Sequence, residues 1–127
     1  MDNLSKNEKY ILNRGVKFTT IDHVAREELN LDLTEYAIAD SIYHLSNGPS
    51  NKVPGWCNAS KEYLARFIGR KPRQVFNIIN KLIKAGLIEK NEDLLLRTTE
   101  KWFETVVMRK DRMKAIRKEI EMLINKQ

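Results

Sequence analysis

The sequence of 127 residues predicts a mainly α-helical fold with one small β-hairpin. Apolar residues recur at the helical period in four segments, glycine or Asn-Gly-Pro ends three of them, and two β-prone runs flank a polar turn. A chain of this length buries about two-thirds of its unfolded surface in one domain. We therefore expect a fold that needs neither a disulfide nor a metal ion.

The first half of the chain is predicted to contain an arm, a helix and a loop. Residues 16–21, VKFTTI, are β-branched and aromatic, and they predict a short strand or an extended arm. Helical spacing of apolar residues predicts a helix over 33–46, with Asp32 or Thr34 as its cap. Residues 46–55, SNGPSNKVPG, predict a loop within one domain.

The second half is predicted to begin with two helices joined by a glycine turn. Ser60 is suited to cap the first of them, and Gly69 to end it. The second helix should run from Pro72 to Ala85, before Gly86. A β-hairpin should follow, with strands at residues 87–90 and 94–98 around Asn91-Glu92-Asp93. This order of elements is a winged helix-turn-helix.

A long helix from about Glu100 to Asn125, capped by Thr98 or Thr99, is predicted to complete the fold. Its apolar stripe must be buried against its own domain or a second copy of the chain. The heptad spacing of this stripe is weak, but the need to bury the stripe favours a homodimer. We expect the two helices to be antiparallel, because a parallel pair would set Arg112 against Arg117 of the other copy. The residues predicted to form this interface are Met113, Ile116, Ile120 and Leu123. We thus divide the chain into a winged-helix domain with an N-terminal arm, 1–105, and a C-terminal helix, 106–127.

Charge is distributed unevenly along the chain. Residues 60–90 carry eight cations and two acids, a net charge of +6, whereas residues 18–46 carry one cation and six acids, a net charge of −5. Such asymmetry favours a polyanion bound on one side of the molecule, although a solvated charged surface has the same composition.

The outward side of the second helix carries residue types that can contact DNA. With Val75, Ile78, Ile79 and Leu82 turned inward, Arg73, Gln74, Phe76, Asn77, Asn80, Lys81 and Lys84 face outward. Arginine can pair with guanine, asparagine and glutamine with adenine, and lysine with phosphate. No acid occurs over residues 70–85. The pattern predicts contact with double-stranded DNA, the alternative being a plain basic surface.

Patterns for catalysis, metal binding and cofactor binding are absent from the sequence. It contains no glycine-rich phosphate loop, no paired-histidine metal motif and no nucleophile turn. The single cysteine, Cys57, is expected in the core. We expect a protein that is not an enzyme, that binds no cofactor or metal, and that lies in the cytoplasm without contacting a membrane, since no apolar run reaches the length of a span.

Three segments carry a resemblance to a known group of proteins: FTTIDHVAREELNLDLTEYAIADSIYHL, GWCNASKEYLARFIGRKPRQVFNIINKLIKAGLI and TTEKWFE. They resemble the N-terminal winged-helix domains of phage and plasmid replication initiators and related prophage regulators. The resemblance implies that the helix after Gly69 enters the major groove with its first turn, and that the preceding helix touches phosphate. The predicted DNA-binding residues are Ser60, Lys61, Arg66, Arg70, Lys71, Arg73, Gln74, Asn77, Lys81 and Lys84.

The sequence departs from that group in three places. Lys71 replaces the usual Ser or Thr cap, Phe76 and Ile83 are apolar where polar residues are usual, and the hairpin tip is acidic at Glu92 and Asp93. The acidic tip argues against insertion of the hairpin into a minor groove.

The sequence as a whole predicts a sequence-specific double-stranded DNA-binding protein of phage or plasmid type. It would act in replication initiation or transcription regulation, as a homodimer, and with replication or transcription proteins as possible partners. The alternative is a protein-interaction adaptor that uses the winged helix only as a scaffold.

Overall fold

The computed structural model describes residues 19–48, 51 and 53–126. Its elements confirm the predicted fold, a helical winged helix-turn-helix with a long C-terminal helix. They are, in chain order, α1 (His23–Glu28), α2 (Leu33–Ser46), α3 (Lys61–Ile68), α4 (Pro72–Lys84), β1 (Ile88–Lys90), β2 (Leu96–Thr98), α5 (Glu100–Trp102), a π-helical turn (Phe103–Val107) and α6 (Met108–Asn125).

Helix α2 begins at a capping box that settles which of the two candidate residues is its cap. Asp32 Oδ1 accepts a hydrogen bond from the Glu35 N–H at 2.7 Å, and Glu35 Oε1 accepts one from the Asp32 N–H at 2.8 Å. The two side chains thereby satisfy two backbone donors at the start of the helix. The helix ends at Ser46, as predicted.

Helices α3 and α4 form the predicted helix-turn-helix. Ser60 Oγ accepts a hydrogen bond from the Tyr63 N–H at 3.0 Å and caps α3. Gly69 ends α3 with φ +81°, where a side chain would be strained, and its N–H donates to the Ala65 carbonyl at 2.8 Å. Lys71 precedes α4 without a side-chain cap; its N–H is satisfied instead by Gln74 Oε1 at 3.2 Å.

The hairpin is shorter than the sequence predicted. Strands β1 and β2 pair antiparallel, with Glu89 opposite Arg97, and the turn between them takes five residues, 91–95. Asn91 Oδ1 accepts from the N–H groups of Asp93 and Leu95, both at 2.9 Å. An isolated bridge joins Cys57 to Leu96, where the Cys57 N–H donates to the Leu96 carbonyl at 2.6 Å. The segment before α3 therefore pairs with β2 at a single residue, on the side of β2 away from β1.

The core lies between α2, the helix-turn-helix and the first turns of the C-terminal helix. Tyr36 and Trp102 pack with their ring centroids 5.1 Å apart, and both are fully buried. Helix α4 buries Val75, Ile79 and Leu82, as its spacing predicted, while Ile78 is half-buried. The C-terminal helix thus begins as part of the core.

The region before α2 corrects the sequence interpretation. Residues 19–21 form no strand, so the strand alternative is wrong there, and residues 16–18 lie outside the described part of the chain. Helix α1, which was not predicted, begins at His23. Asp22 caps it, because Asp22 Oδ1 accepts a hydrogen bond from the Ala25 N–H at 3.2 Å.

Candidate nucleic-acid interface

Helix α4 presents a polar ridge on the side opposite its buried residues. Arg73, Asn77, Asn80 and Lys84 follow one another at spacings of four, three and four residues, which places them along one side of the helix. Asn80 is half-buried and the other three are exposed. Arg73 and Lys84 form no ion pair with any described residue. The ridge therefore keeps its positive charge available to a ligand.

The first turn of α4 borders an open groove of about 300 Å³ beside the start of α2. Arg70 Nη2 donates to Thr34 Oγ1 at 3.3 Å across this groove. Gln74 Oε1 accepts from the Lys71 N–H, which holds this side chain at the start of α4 and leaves its NH₂ group without a hydrogen-bond partner among the described residues. Asn77, one turn later, is exposed and forms no side-chain hydrogen bond with a described residue, so both of its amide atoms remain open to a ligand.

Phe76 lies on the side of α4 that faces the start of α3. Lys61 Nζ is 3.9 Å from the centroid of the Phe76 ring, within range of a cation–π interaction. The residue remains 41% exposed. This contact fixes an apolar ring and a cation side by side next to the ridge.

Lys81 lies on the other side of the ridge and forms an ion pair with Glu35 of α2. A hydrogen bond from its ammonium group to the Glu35 carboxylate, together with the charge of Glu35, raises the pKa of Lys81. Lys81 is therefore engaged within the protein, unlike Lys84 one turn later.

The other predicted residues lie on α3 and in the turn. Arg66, Arg70 and Lys71 are exposed, and none of them forms an ion pair within the described part of the chain. Ser60 Oγ is used as the cap of α3. The ten predicted DNA-binding residues thus occupy a continuous stretch of structure from the cap of α3 to the end of α4.

The hairpin does not extend this basic surface. Arg97 Nε donates to Glu89 Oε1 at 2.5 Å, and the Arg97 guanidinium carbon is 4.1 Å from the centroid of the Trp56 ring. Glu92 and Asp93 are exposed at the tip. The arginine is held by its own neighbours and the tip presents carboxylates, as the sequence indicated.

Carboxylates of the acidic region are largely used within the fold. Asp22 Oδ2 accepts from Arg109 Nε at 2.8 Å, which joins the start of α1 to the C-terminal helix. Asp40 is buried beside His44, with 3.4 Å between Asp40 Oδ1 and His44 Nε2. Burial raises the pKa of Asp40, and the charges of His44 and Lys110 oppose this rise. These contacts account for much of the negative charge without a ligand.

The C-terminal helix leaves the core after its first turns. Trp102 and Val106 are buried, whereas every residue from 111 to 126 is exposed. The apolar residues predicted to form a dimer interface are among them: Met113, Ile116, Ile120 and Leu123, between 42% and 65% exposed. They have no covering element within the described residues.

Two comparisons with known proteins agree with this architecture. Residues 49–88 match a helix-turn-helix domain family. A crystal structure of a multiple antibiotic-resistance repressor (MarR) from Listeria monocytogenes superposes with a TM-score of 0.50 over 82% of each chain, at 19% sequence identity. At that identity the likeness shows the fold alone. No curated protein matches the chain.

Membrane spans and metal clusters are both absent from the part of the chain that the structure describes. None of the helices there is both long and apolar enough to cross a membrane. No group of three or more His, Cys, Asp or Glu side chains in the same residues is arranged to hold a metal ion.

Proposed function

We propose that the protein is a sequence-specific double-stranded DNA-binding protein in which α4 enters the major groove as the recognition helix. The observation that carries the proposal is the ridge of α4, where Arg73, Asn77 and Lys84 are exposed and neither cation forms an ion pair with a described residue. No acid occurs between residues 70 and 85. The match of residues 49–88 to a helix-turn-helix domain family supports it.

Each side chain of the surface has a chemical role in this proposal. Arg73 pairs with guanine O6 and N7, and Asn77 with adenine N6 and N7, because these pairings use two hydrogen bonds in one plane. Phe76 contacts the methyl group of a thymine. Phosphates are bound by the surrounding polar and basic residues: Ser60, Lys61, Arg66, Arg70, Lys71 and Lys84. Gln74 fixes the start of α4 and contributes its NH₂ group.

The test is fluorescence anisotropy of a labelled random-sequence duplex at several salt concentrations. A double variant, Arg73→Ala with Lys84→Ala, should lose affinity and reduce the steepness of the salt dependence by about 0.9 for each phosphate that is no longer neutralised. The matched control, Lys114→Ala with Lys118→Ala, removes the same charge from exposed positions of α6. Equal effects of the two double variants would mean that net charge alone drives binding, and the proposal would fail.

The apolar stripe of α6 is proposed to pair two copies of the chain in antiparallel orientation. Residues 109–118 carry six cations and one acid, whereas residues 119–126 carry two acids and one cation. An antiparallel pair sets the basic half of each helix beside the weakly acidic half of the other, which a parallel pair does not. Such a dimer would present two recognition helices to half-sites about one helical turn apart.

Sedimentation equilibrium tests this arrangement without disturbing the core. Ile116→Asn with Ile120→Asn should convert a dimer to a monomer, because both side chains are exposed in the single chain. Ala115→Asn with Lys118→Asn, exposed positions away from the stripe, is the control and should leave the mass unchanged. A wild-type protein that is monomeric at all concentrations would exclude the dimer.

A protein that occupies a DNA site can regulate transcription or initiate replication. The resemblance to phage and plasmid initiators and prophage regulators is consistent with either role. Selection of the preferred sequence separates them: one palindrome at a promoter supports regulation, and several copies at an origin support replication. The exposed stripe of α6 favours a second candidate, an adaptor that docks a partner protein. Absence of DNA binding by the wild-type chain would favour that function.

A further inference from the structure

Lys81 differs from the other cations of α4 because a carboxylate of another helix holds its ammonium group. Glu35, in the first turn of α2, accepts the contact through Oε2. The Glu35 side chain is only 6% exposed, whereas that of Lys81 is 61% exposed. The buried partner of this ion pair is thus the acid.

Glu35 is itself fixed in position. Its other oxygen, Oε1, accepts from the Asp32 N–H at 2.8 Å as half of the capping box of α2. Both carboxylate oxygens are therefore satisfied, one by the backbone of α2 and one by Lys81. Loss of Lys81 would leave a nearly buried carboxylate without its counter-charge, which is unfavourable.

Transfer of Lys81 to a DNA phosphate would break this arrangement. Glu35 would then retain only the hydrogen bond from the Asp32 N–H, and its carboxylate would lie without a cation beside the ridge of α4. The phosphate contact would therefore be made at the expense of an ion pair whose acid is nearly buried. Lys84, one turn later on α4, has no such partner among the described residues and is free to bind phosphate.

We propose that Lys81 is a positioning residue and not a phosphate ligand: Glu35 ties the recognition helix to the first turn of α2 through Lys81, and so sets the orientation of Arg73 and Asn77. This inference rests on the proposed DNA-binding function. It assigns Lys81 a role different from that predicted from the sequence.

The tie itself is tested in the absence of DNA by a double-mutant cycle in thermal unfolding. Glu35→Gln and Lys81→Gln should each lower Tm. The Tm of the double variant should be no lower than that of the less stable single variant, because each change already removes the same ion pair. Lys84→Gln, the matched control, should leave Tm unchanged. Additive decreases in Tm for Glu35→Gln and Lys81→Gln would overturn the proposal whether or not the protein binds DNA.

The role of Lys81 in binding is tested by the salt dependence of affinity for a selected duplex. Lys84→Gln should reduce the slope of log K against log salt concentration by about 0.9. Lys81→Gln should leave this slope at its wild-type value, while the ratio of affinities for selected and random duplexes falls several-fold. Lys81→Arg, which keeps the charge and the ion pair, should restore that ratio.

Two results in this experiment would overturn the inference. One is a reduction of the slope in Lys81→Gln equal to that in Lys84→Gln, which identifies Lys81 as a phosphate ligand. The other is a steeper slope in Glu35→Gln, which means that Glu35 merely withholds Lys81 from phosphate. Failure of the wild-type chain to bind any duplex would instead refute the proposed function, and the unfolding cycle would still decide whether the tie exists.

Discussion

The basic side of α4 and the acidic side formed by α1 and α2 are both strongly charged, but their charges are used differently. On the acidic side Asp22 pairs with Arg109, Asp40 lies beside His44, and Asp32 caps a helix. On α4 the exposed cations Arg73 and Lys84 have no acidic partner among the described residues. A paired charge has its field largely cancelled nearby, whereas an unpaired one acts on a ligand. The net charge of a segment thus indicates a binding surface only when the ion pairs that its side chains form within the protein are known.

This comparison separates stability from binding. Substitutions on the closed, acidic side, where the C-terminal helix packs, should change the free energy of unfolding. Substitutions on the open side of α4 should change affinity for DNA and leave stability nearly constant. The predictions that follow test this division, from the largest expected effect to the smallest.

Trp102→Ala should cause the largest loss of stability, about 3–5 kcal/mol in the free energy of unfolding. The indole is fully buried against Tyr36 and joins the C-terminal helix to α2. Trp102→Phe should cost much less, because it keeps the ring contact and removes Nε1, a donor without a hydrogen-bond partner among the described residues. Urea unfolding followed by circular dichroism measures both. Similar losses for the two variants would contradict this account of the indole.

Arg73→Ala should reduce discrimination at one base pair by about 1–3 kcal/mol while the free energy of unfolding changes by less than about 0.5 kcal/mol. The side chain is exposed and contacts no described residue through an ion pair. Arg73→Lys should also lose discrimination, because lysine cannot form the two parallel hydrogen bonds. Competition binding with single-base variants of a selected site measures the effect. An unchanged preferred sequence in Arg73→Ala would remove this residue from the set of base readers.

Arg109→Ala should lower the free energy of unfolding by about 1 kcal/mol, because it leaves Asp22 without its cation. The Asp22 side chain is 17% exposed and that of Arg109 34% exposed, so solvent screens the pair only in part. Arg112→Ala, on an exposed position of α6 without an ion pair to a described residue, should have no measurable effect on thermal unfolding. If both variants behave alike, the contact between α1 and the C-terminal helix does not stabilise the fold.

The helix-turn-helix could be predicted from the sequence because its signals are local. Ser60, Gly69 and Pro72 act on the backbone within a few residues of their own position, so their spacing alone defines two helices and a turn. The inward side of α4 followed from the helical period. The outer side of the candidate site was predicted in the same way, as the complement of the buried one.

The contacts that were missed join residues far apart in the chain. Glu35 and Lys81 are separated by 46 positions, and Asp22 and Arg109 by 87. No periodicity relates such distant residues, so the sequence shows the four charged side chains but not which of them pair. Helix α1 was missed for another reason: it is short, and its signal is little more than the cap at Asp22. The π-helical turn at residues 103–107 has no distinguishing composition.

Asp40→Asn should have the smallest effect on stability. The sign of its pH dependence tests whether the ionised form of this buried acid stabilises or destabilises the fold. Burial is the largest influence on Asp40 and raises its pKa above the ordinary value of 3.8. A group whose pKa is raised by folding favours the folded state below its unfolded pKa, and this contribution is lost as the pH rises through the folded pKa. The wild-type protein should therefore lose stability relative to Asp40→Asn as the pH increases above about 4.

The neighbours of Asp40 must be held constant for this measurement. The charges of His44 on α2 and Lys110 on α6 oppose the effect of burial on Asp40. Burial raises the pKa values of Tyr36 and Tyr43, and the charge of Asp40 adds to this rise. Thermal unfolding at several pH values between 4 and 7 should show a Tm difference, Asp40→Asn minus wild type, that increases with pH. The same trend should persist in a His44→Gln background. A difference that decreases with pH would mean that the ionised carboxylate stabilises the fold through His44 and Lys110, because their attraction then exceeds the cost of burial.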